Sequence, residues 1–346
     1  LFGLREAKYE ELSNSTLLTG ERSVIKPTSR FYLFIPQDLV LKEEYETYIG
    51  SIDAFPVNVL GFQTHRDAVA IGSDREALIE QVENFLGRNL SGREEADFIS
   101  RSAYRLFDER YVYLNTDVCD RPRRELLDHV VGRQNLCLGL GRQGAAVQDP
   151  IWSLVTISRY PFDANIFRRG GINVFPLWIF PQETGLAFNE DIEPNFSTHF
   201  YSRLLQSLSI SASVDGEIPS VIAPEDVFLY TYAVLHSNKY RTRYNEFLKT
   251  DFPRIPLPGS PEIFTALTVI GKSLANLHLM EFQTLMGQEV SGISVDECEV
   301  EKVAYSDETV WIDKAKTCGF KVVPMEVWNF QIGGYQVCAK WLKDRG

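Results

Sequence analysis

The sequence predicts a mixed α/β fold of irregular, largely antiparallel sheets with helices packed around them, divided among several subdomains. Short runs rich in β-branched and aromatic residues recur through the middle third, punctuated by Gly, Pro and Asn. Segments with apolar residues at helical spacing and recognisable caps dominate the later part. A chain of 346 residues buries a sizeable core yet favours two or three packed units over one. The expected divisions are 1–98, a small α/β segment; 99–260, the largest unit; and 261–346, a helix followed by a small antiparallel sheet and a terminal helix.

Taken in order, Arg30 to Ile35 reads as a strand ended by Pro36, and Val57 to Leu60 and Ala68 to Ile71 as short apolar strands. Asp74 suits the N-cap of a helix whose Ala77, Leu78, Val82 and Phe85 recur at helical spacing. The polar stretch 86–100, with Gly87, Gly92 and an acidic cluster, reads as a loop at the first boundary. Strands follow at 111–114, 136–138, 152–157 and 174–180, with a helix opening near Pro122 and carrying Leu126, Leu127, Val130 and Val131 inward. Pro224 starts a helix to about His236, Ser237 caps a second through Lys249, and Pro261 opens a third with Ile263, Phe264, Leu267, Ile270, Leu274 and Leu277 as its apolar stripe. Runs at 300–305, 309–312 and 320–323 form the closing sheet.

Net charge is -12, which argues against a surface coated in basic groups. The charge is unevenly spread, with Arg121, Arg123, Arg124, Arg133, Arg142, Arg159, Arg168 and Arg169 in one stretch and an acidic run after Glu281. No apolar run approaches the roughly 18 to 20 residues that span a bilayer. The five cysteines are scattered and never form a C-x-x-C pair, so neither a disulfide framework nor a zinc site is expected, and a reducing cytoplasm is. Leu1 lacks a preceding Met and a signal sequence, and reads as an internal boundary of a longer polypeptide.

Several chemistries lack their residues. There is no Asn/Asp/Ser-Pro-Pro-aromatic loop for gripping a flipped base, no P-loop, no nucleophile elbow and no H-E-x-x-H. Gly139-Leu-Gly141-Arg-Gln-Gly144 matches a nucleotide fingerprint, but Pro150 and the strand after it leave no room for the helix that would face a pyrophosphate. The acidic run at 296–308 reads as a solvated hairpin face rather than a metal site.

What remains is a set of side chains placed on turns. Arg133-Gln134-Asn135 and Arg142-Gln143 flank a short strand. Arginine pairs with guanine N7 and O6, and Gln or Asn with adenine N6 and N7, each worth roughly 1 to 3 kcal/mol of discrimination. Arg159 is a further groove candidate. Arg168 and Arg169 on a Gly-rich loop, and Lys239, Arg241 and Arg243 after Ser237, are the phosphate candidates, Lys239 and Arg243 sharing a helix face. Composition weighs this reading evenly against surface ion pairs with Asp120, Glu125, Asp128 and Asp163, and Glu246 could neutralise Arg243.

Tyr232-Ala-Val-Leu-His-Ser-Asn-Lys-Tyr-Arg-Thr-Arg-Tyr-Asn-Glu-Phe-Leu-Lys-Thr-Asp-Phe-Pro-Arg-Ile-Pro-Leu-Pro258 resembles a signature of the C-terminal specificity region in type ISP restriction-modification enzymes and related N6-adenine DNA methyltransferases. The tail from Val327 to Arg345, the segment Phe107-Asp-Glu-Arg-Tyr-Val-Tyr with Cys119-Asp-Arg-Pro-Arg, and the front segments after Gly3 and Gly61 resemble the same family in the same order. The resemblance implies that 99–260 is a target-recognition domain for double-stranded DNA and that the partner is the methyltransferase domain of a parent polypeptide. It implies that S-adenosylmethionine belongs to that domain, with no cofactor, metal or catalytic residue in this chain, and that the setting is bacterial cytoplasm. Arg142-Gln143 matches a recurring Arg-Gln of the family, and the sequence leaves open whether the pair touches bases or supports the fold. A stand-alone metal-dependent nuclease or DNA-modifying enzyme, and a protein-interaction scaffold, are the alternatives.

Overall fold

A computed structural model describes residues 10, 13–16, 19, 38–142, 151–167, 171–181, 191–210, 222–281, 291–295 and 298–345. The expected strand at 30–35 lies outside them, as do Gln143, Arg168 and Arg169. Contacts group residues 1–44 as one unit and 45–346 as another.

The larger unit is built from small antiparallel sheets wrapped by helices, as the sequence predicts. Strand β1 (Val59–Leu60) is followed by a single helical turn at Asp67–Ala70 and by β2 (Ile71–Gly72), so the strand expected at 68–71 is mostly helical. Helix α1 (Arg75–Leu86) starts where expected, the Asp74 carboxylate accepting the Ala77 amide at 2.8 Å, and buries Leu78 and Val82 while Phe85 stays exposed. The expected loop at 86–100 holds a helix, α2 (Gly92–Phe98). A capping box closes its first turn, Ser91 accepting the Glu94 amide and Glu94 accepting the Ser91 amide.

Strands β3 (Ile99–Arg105) and β4 (Asp108–Tyr113) pair with each other, and β4 pairs with β2. The sheet therefore crosses the expected division at 98/99. Tyr113 and Val118 pack in one apolar cluster with Leu78, Val82 and Leu90, so burial joins the two sides of the polar stretch 86–100.

Helix α3 (Arg124–Val130) leads into the central sheet: β5 (Cys137–Leu140), β6 (Val155–Ser158) and β7 (Asn173–Pro176), ordered β1-β7-β5-β6. Every residue of β5 and β6 is buried. Gly139 is required by packing, because a Cβ there would stand 2.4 Å from the Ile172 side chain. The glycines of 139–141 thus line a filled core next to an antiparallel neighbour, not a cradle for a nucleotide.

Helix α4 (Pro224–His236) matches its expected bounds and is buried from Val227 to Leu235. The Ser237 hydroxyl caps α5 (Asn238–Arg243), accepting the Tyr240 amide. Helix α6 (Pro261–His278) corrects the sequence reading. Its buried face is Phe264, Thr268, Gly271 and Ala275, whereas Ile263 and Ile270 are 50% and 57% exposed. Gly271 sets this rotation: a Cβ on it would lie 2.1 Å from the Leu229 carbonyl oxygen, so α4 and α6 touch backbone to backbone through small residues. That contact also spans the expected division at 260/261.

The closing sheet runs β8 (Ser291–Ile293), β9 (Ala304–Ser306), β10 (Thr309–Trp311) and β11 (Gly319–Lys321) in the order β8-β11-β10-β9, before the terminal helix α7 (Val337–Lys343). Asp307 and Glu308, both at positive φ, form the exposed hairpin turn of the acidic run. Among the described residues no group of three or more His, Cys, Asp or Glu could hold a metal ion. The scattered cysteines build no framework, but the sequence did not point to the one pair that the fold brings together: Cys298 and Cys318, with Cα atoms 6.5 Å apart. Their 20-residue separation carries no motif, and the folding of this sheet is what brings them together. Among the described residues no helix is long and apolar enough to cross a membrane.

Candidate nucleic-acid interface

Register in the central sheet sorts the candidate side chains into two groups. Leu140 pairs with Val155 and Asn173, so Arg142, the chain entering β6 and the chain entering β7 share one end. Cys137 pairs with Ser158 and Pro176, so Arg133, Gln134 and Arg159 share the other.

At the first end, Arg142 is exposed with its guanidinium 5.2 Å from the Phe252 ring centroid, and Phe252 in turn packs edge-on against Phe175 of β7. No carboxylate among the described residues pairs with Arg142. Immediately behind it, the Gly141 carbonyl accepts the indole N–H of Trp152 at 3.1 Å, and the Gly141 amide donates to Leu154 at 2.9 Å. Trp152 is fully buried, and its own amide donates to the Asn245 side chain at 3.1 Å. That bond attaches the region of α5 to this end of the sheet.

On α5, Lys239 and Arg243 are exposed, in keeping with the shared face expected from their spacing, and the Arg243 Nε donates to the Tyr244 hydroxyl at 3.3 Å. Arg241 differs. It is half-buried, its Nε donates to the Leu235 carbonyl at 2.6 Å, another guanidinium nitrogen contacts His236 Nδ1 at 3.0 Å, and it lies 5.7 Å from a Trp152 ring centroid. Burial pulls its pKa down to about 10. His236 and His278 pack beside it with ring centroids 5.0 Å apart and planes inclined at 59°, held neutral by burial, and the Tyr232 hydroxyl meets His278 Nδ1 at 2.5 Å.

At the other end, Arg133 and Gln134 are exposed, Arg133 standing 5.2 Å from the Phe180 ring centroid. Asn135, grouped with them as a base reader on sequence, is 3% exposed and wholly occupied inside: its amide donates to the carbonyls of His129 and Trp178, and its oxygen accepts the amides of Leu136 and Trp178. It locks the turn rather than projecting from it. Arg159 is held in a two-bond ion pair with Glu281, at 2.5 and 2.9 Å, which raises the arginine pKa and holds the carboxyl below its usual range. A groove of about 1020 Å³ opens beside this end, lined by Arg93, Arg101, Arg124 and Arg133 together with Asp97 and Asp128. Arg93 pairs with Asp97 and Arg101 with Glu109.

The ion-pair alternative is thus realised for Arg159, with a partner 122 residues away that the sequence did not suggest. Of the acids that were expected to neutralise the arginines, Asp163 engages Arg105 at 3.2 Å and Asp120 engages Arg121 and His65. Trp152, Asn245 and Phe252 were not read as site residues. The latter two fall within the 232–258 signature, the one sequence signal that pointed there.

The family model described as the Type ISP C-terminal specificity domain matches residues 86–346. No curated protein matches the chain. Among solved structures, a nuclease-deletion mutant of the Type ISP restriction-modification enzyme LlaGI in complex with a DNA substrate mimic is similar at 20% identity and a TM-score of 0.69, over 98% of this chain and 33% of that one. A DrdV–DNA complex is similar at 17% and 0.73, over 98% and 37%. The ATP-dependent Type ISP enzyme LlaBIII bound to DNA is similar at 18% and 0.64, over 86% and 21%. At these identities the likeness is one of fold, and this chain spans between 21% and 37% of the length of those chains.

Proposed function

The chain belongs to the Type ISP C-terminal specificity domain family, and from that premise we propose that it selects a sequence in double-stranded DNA on behalf of a methyltransferase part of the same enzyme, in the bacterial cytoplasm. The observation that carries this reading is the first end of the central sheet. Arg142 leaves a fully buried strand, is braced on Phe252 and has no carboxylate partner among the described residues, while Lys239 and Arg243 are exposed on the helix tied to that end. A guanidinium placed as Arg142 is can make the bidentate pair with guanine N7 and O6, and the exposed positions of Lys239 and Arg243 suit contacts along the phosphates. Arg133 and Gln134, exposed on a turn locked by Asn135, are the second group of contacts in this proposal. The relatives named above are DNA complexes by their descriptions, which supports the choice of ligand.

S-adenosylmethionine, the cofactor that the family's methylation chemistry needs, belongs in this proposal to the methyltransferase part of the enzyme. The single glycine-rich stretch with a nucleotide pattern begins in a packed strand whose Gly139 faces Ile172. We assign no cofactor step and no catalytic residue to this chain.

The test is binding to a randomised duplex library at low salt, with sequencing of retained DNA and a salt titration. An enriched motif that loses roughly 10- to 100-fold discrimination at one base pair in Arg142→Ala is expected. Lys239→Ala and Arg243→Ala should each flatten the salt dependence by about 0.9 in slope without changing the motif. A motif that survives Arg142→Ala unchanged removes Arg142 from base reading, and no retention at low salt removes DNA recognition by this chain.

A further inference from the structure

Arg241 was a phosphate candidate on sequence, yet its position on α5 is two residues from both Lys239 and Arg243, which turns it to the opposite side of the helix. There it meets the interior: the Leu235 carbonyl at the end of α4, the ring nitrogen of His236, and the face of Trp152. No carboxylate among the described residues pairs with it, and the surrounding groups are neutral, since burial keeps both His236 and His278 unprotonated. Trp152 in turn donates to the carbonyl of Gly141, the residue that precedes Arg142.

We propose that Arg241 is a positioning residue, which fixes the end of α4 against Trp152 and, through the Trp152–Gly141 hydrogen bond, sets the direction in which Arg142 leaves β5. This rests on Arg142 reading a base, as proposed above. The requirement is for a guanidinium specifically. Its planar group donates from Nε to one acceptor and from a terminal nitrogen to another while lying over an indole, which the ammonium of lysine cannot reproduce. A phosphate contact makes the reverse demand, because lysine serves a phosphate nearly as well as arginine.

Arg241→Lys therefore separates the two roles. Three quantities are read in the wild type, Arg241→Lys and Arg241→Gln: the base preference at the Arg142-dependent position, the salt slope of binding, and hydrogen exchange of the Gly141 and Trp152 amides, which donate to Leu154 and Asn245. Positioning predicts that lysine does not rescue. Selectivity at that position falls as it does in Arg142→Ala, the salt slope is unchanged, and the two amides exchange about tenfold faster. Full rescue by lysine, with a slope flattened by about 0.9 in the glutamine variant, overturns the proposal in favour of a phosphate contact. Wild-type amide protection in both variants overturns it too. If the wild-type chain selects no motif, the DNA reading falls, and the exchange measurement alone still decides whether Arg241 holds Gly141. Thermal unfolding of each variant identifies any that fails to fold, and Arg241→Lys is the mildest of the changes.

Discussion

The two ends of the central sheet are made from the same three four-residue strands and yet hold most of their arginines differently. At one end Arg159 is consumed by Glu281, Arg101 by Glu109 and Arg93 by Asp97. At the other, Arg142 rests on an aromatic ring and Arg241 on carbonyl, imidazole and indole groups, with no acid paired to either among the described residues. A net charge of -12 conceals this difference, because it counts acids without saying which cations they occupy. An arginine already in a two-bond ion pair must break it before meeting DNA, whereas one stacked on a ring keeps its donors available. Arg133, stacked on Phe180 at the first of these ends, is in this respect like Arg142, so pairing sorts individual arginines rather than whole ends.

Both ends depend on one buried clamp, and removing each clamp sharpens the comparison. Trp152→Ala empties a fully buried site, cuts the hydrogen bond to Gly141 and is expected to cost about 3 to 5 kcal/mol in a urea melt. Asn135→Ala, at the other end, strands the His129 and Trp178 groups it satisfied and should cost about 2 kcal/mol. If a stable Trp152 variant kept the full DNA motif, the Arg142 end would not be organised by that indole. If Asn135→Ala were neutral, the Arg133 turn would be held by something other than its asparagine.

A smaller effect follows from the histidines. Burial pushes His278 down to about 4 and His236 down to about 2, with Arg241 adding to both shifts. The folded chain therefore keeps them neutral, while the unfolded chain takes up protons once pH falls below about 6.5. Their stabilisation is complete above that pH and is lost as pH drops towards 4, at a rate of up to about 1.4 kcal/mol per pH unit for each ring. Unfolding midpoints measured between pH 7.5 and 5 should decline over this window, and His278→Asn should reduce the decline. His129, at the other end, is also shifted down by burial. A decline abolished by His129→Asn and untouched by His278→Asn would transfer the acid sensitivity to the Arg133 end.

The sequence made legible whatever is decided locally. The N-caps Asp74 and Ser237, the proline that starts α4 and the acidic hairpin turn are all signals spread over a few residues. The Ser91–Glu94 capping box was equally local, and was obscured by the glycine and acid content around it. What lay beyond reach was decided by distant parts of the chain. The outward face of α6 follows from Gly271 meeting Leu229, the cysteine pair from closure of the last sheet, and the loss of Arg159 as a free cation from Glu281. The candidate site was half legible: residue types and the 232–258 signature pointed to the stretches where Arg142, Asn245 and Phe252 come together, but which of Lys239, Arg241 and Arg243 faces inward is set by packing against Trp152.

The smallest expected effect is the most direct challenge to the contrast. In Glu281→Gln the side chain keeps its shape and one acceptor, but Arg159 regains an uncompensated charge. Both side chains are more than 40% exposed, so the lost ion pair should cost no more than about 1 kcal/mol of stability. DNA binding should respond in the opposite direction: affinity at low salt rises by less than about threefold, and the salt slope steepens by up to about 0.9, as one more cation can meet a phosphate. The selected motif should stay the same, because a released charge strengthens backbone attraction without adding a reader. If Glu281→Gln instead adds a preferred base pair to the motif, or if Arg159→Ala weakens the wild type, Arg159 exchanges Glu281 for DNA during binding. The ion pair would then be a latch on a reading residue, and the two ends would differ in timing rather than in role.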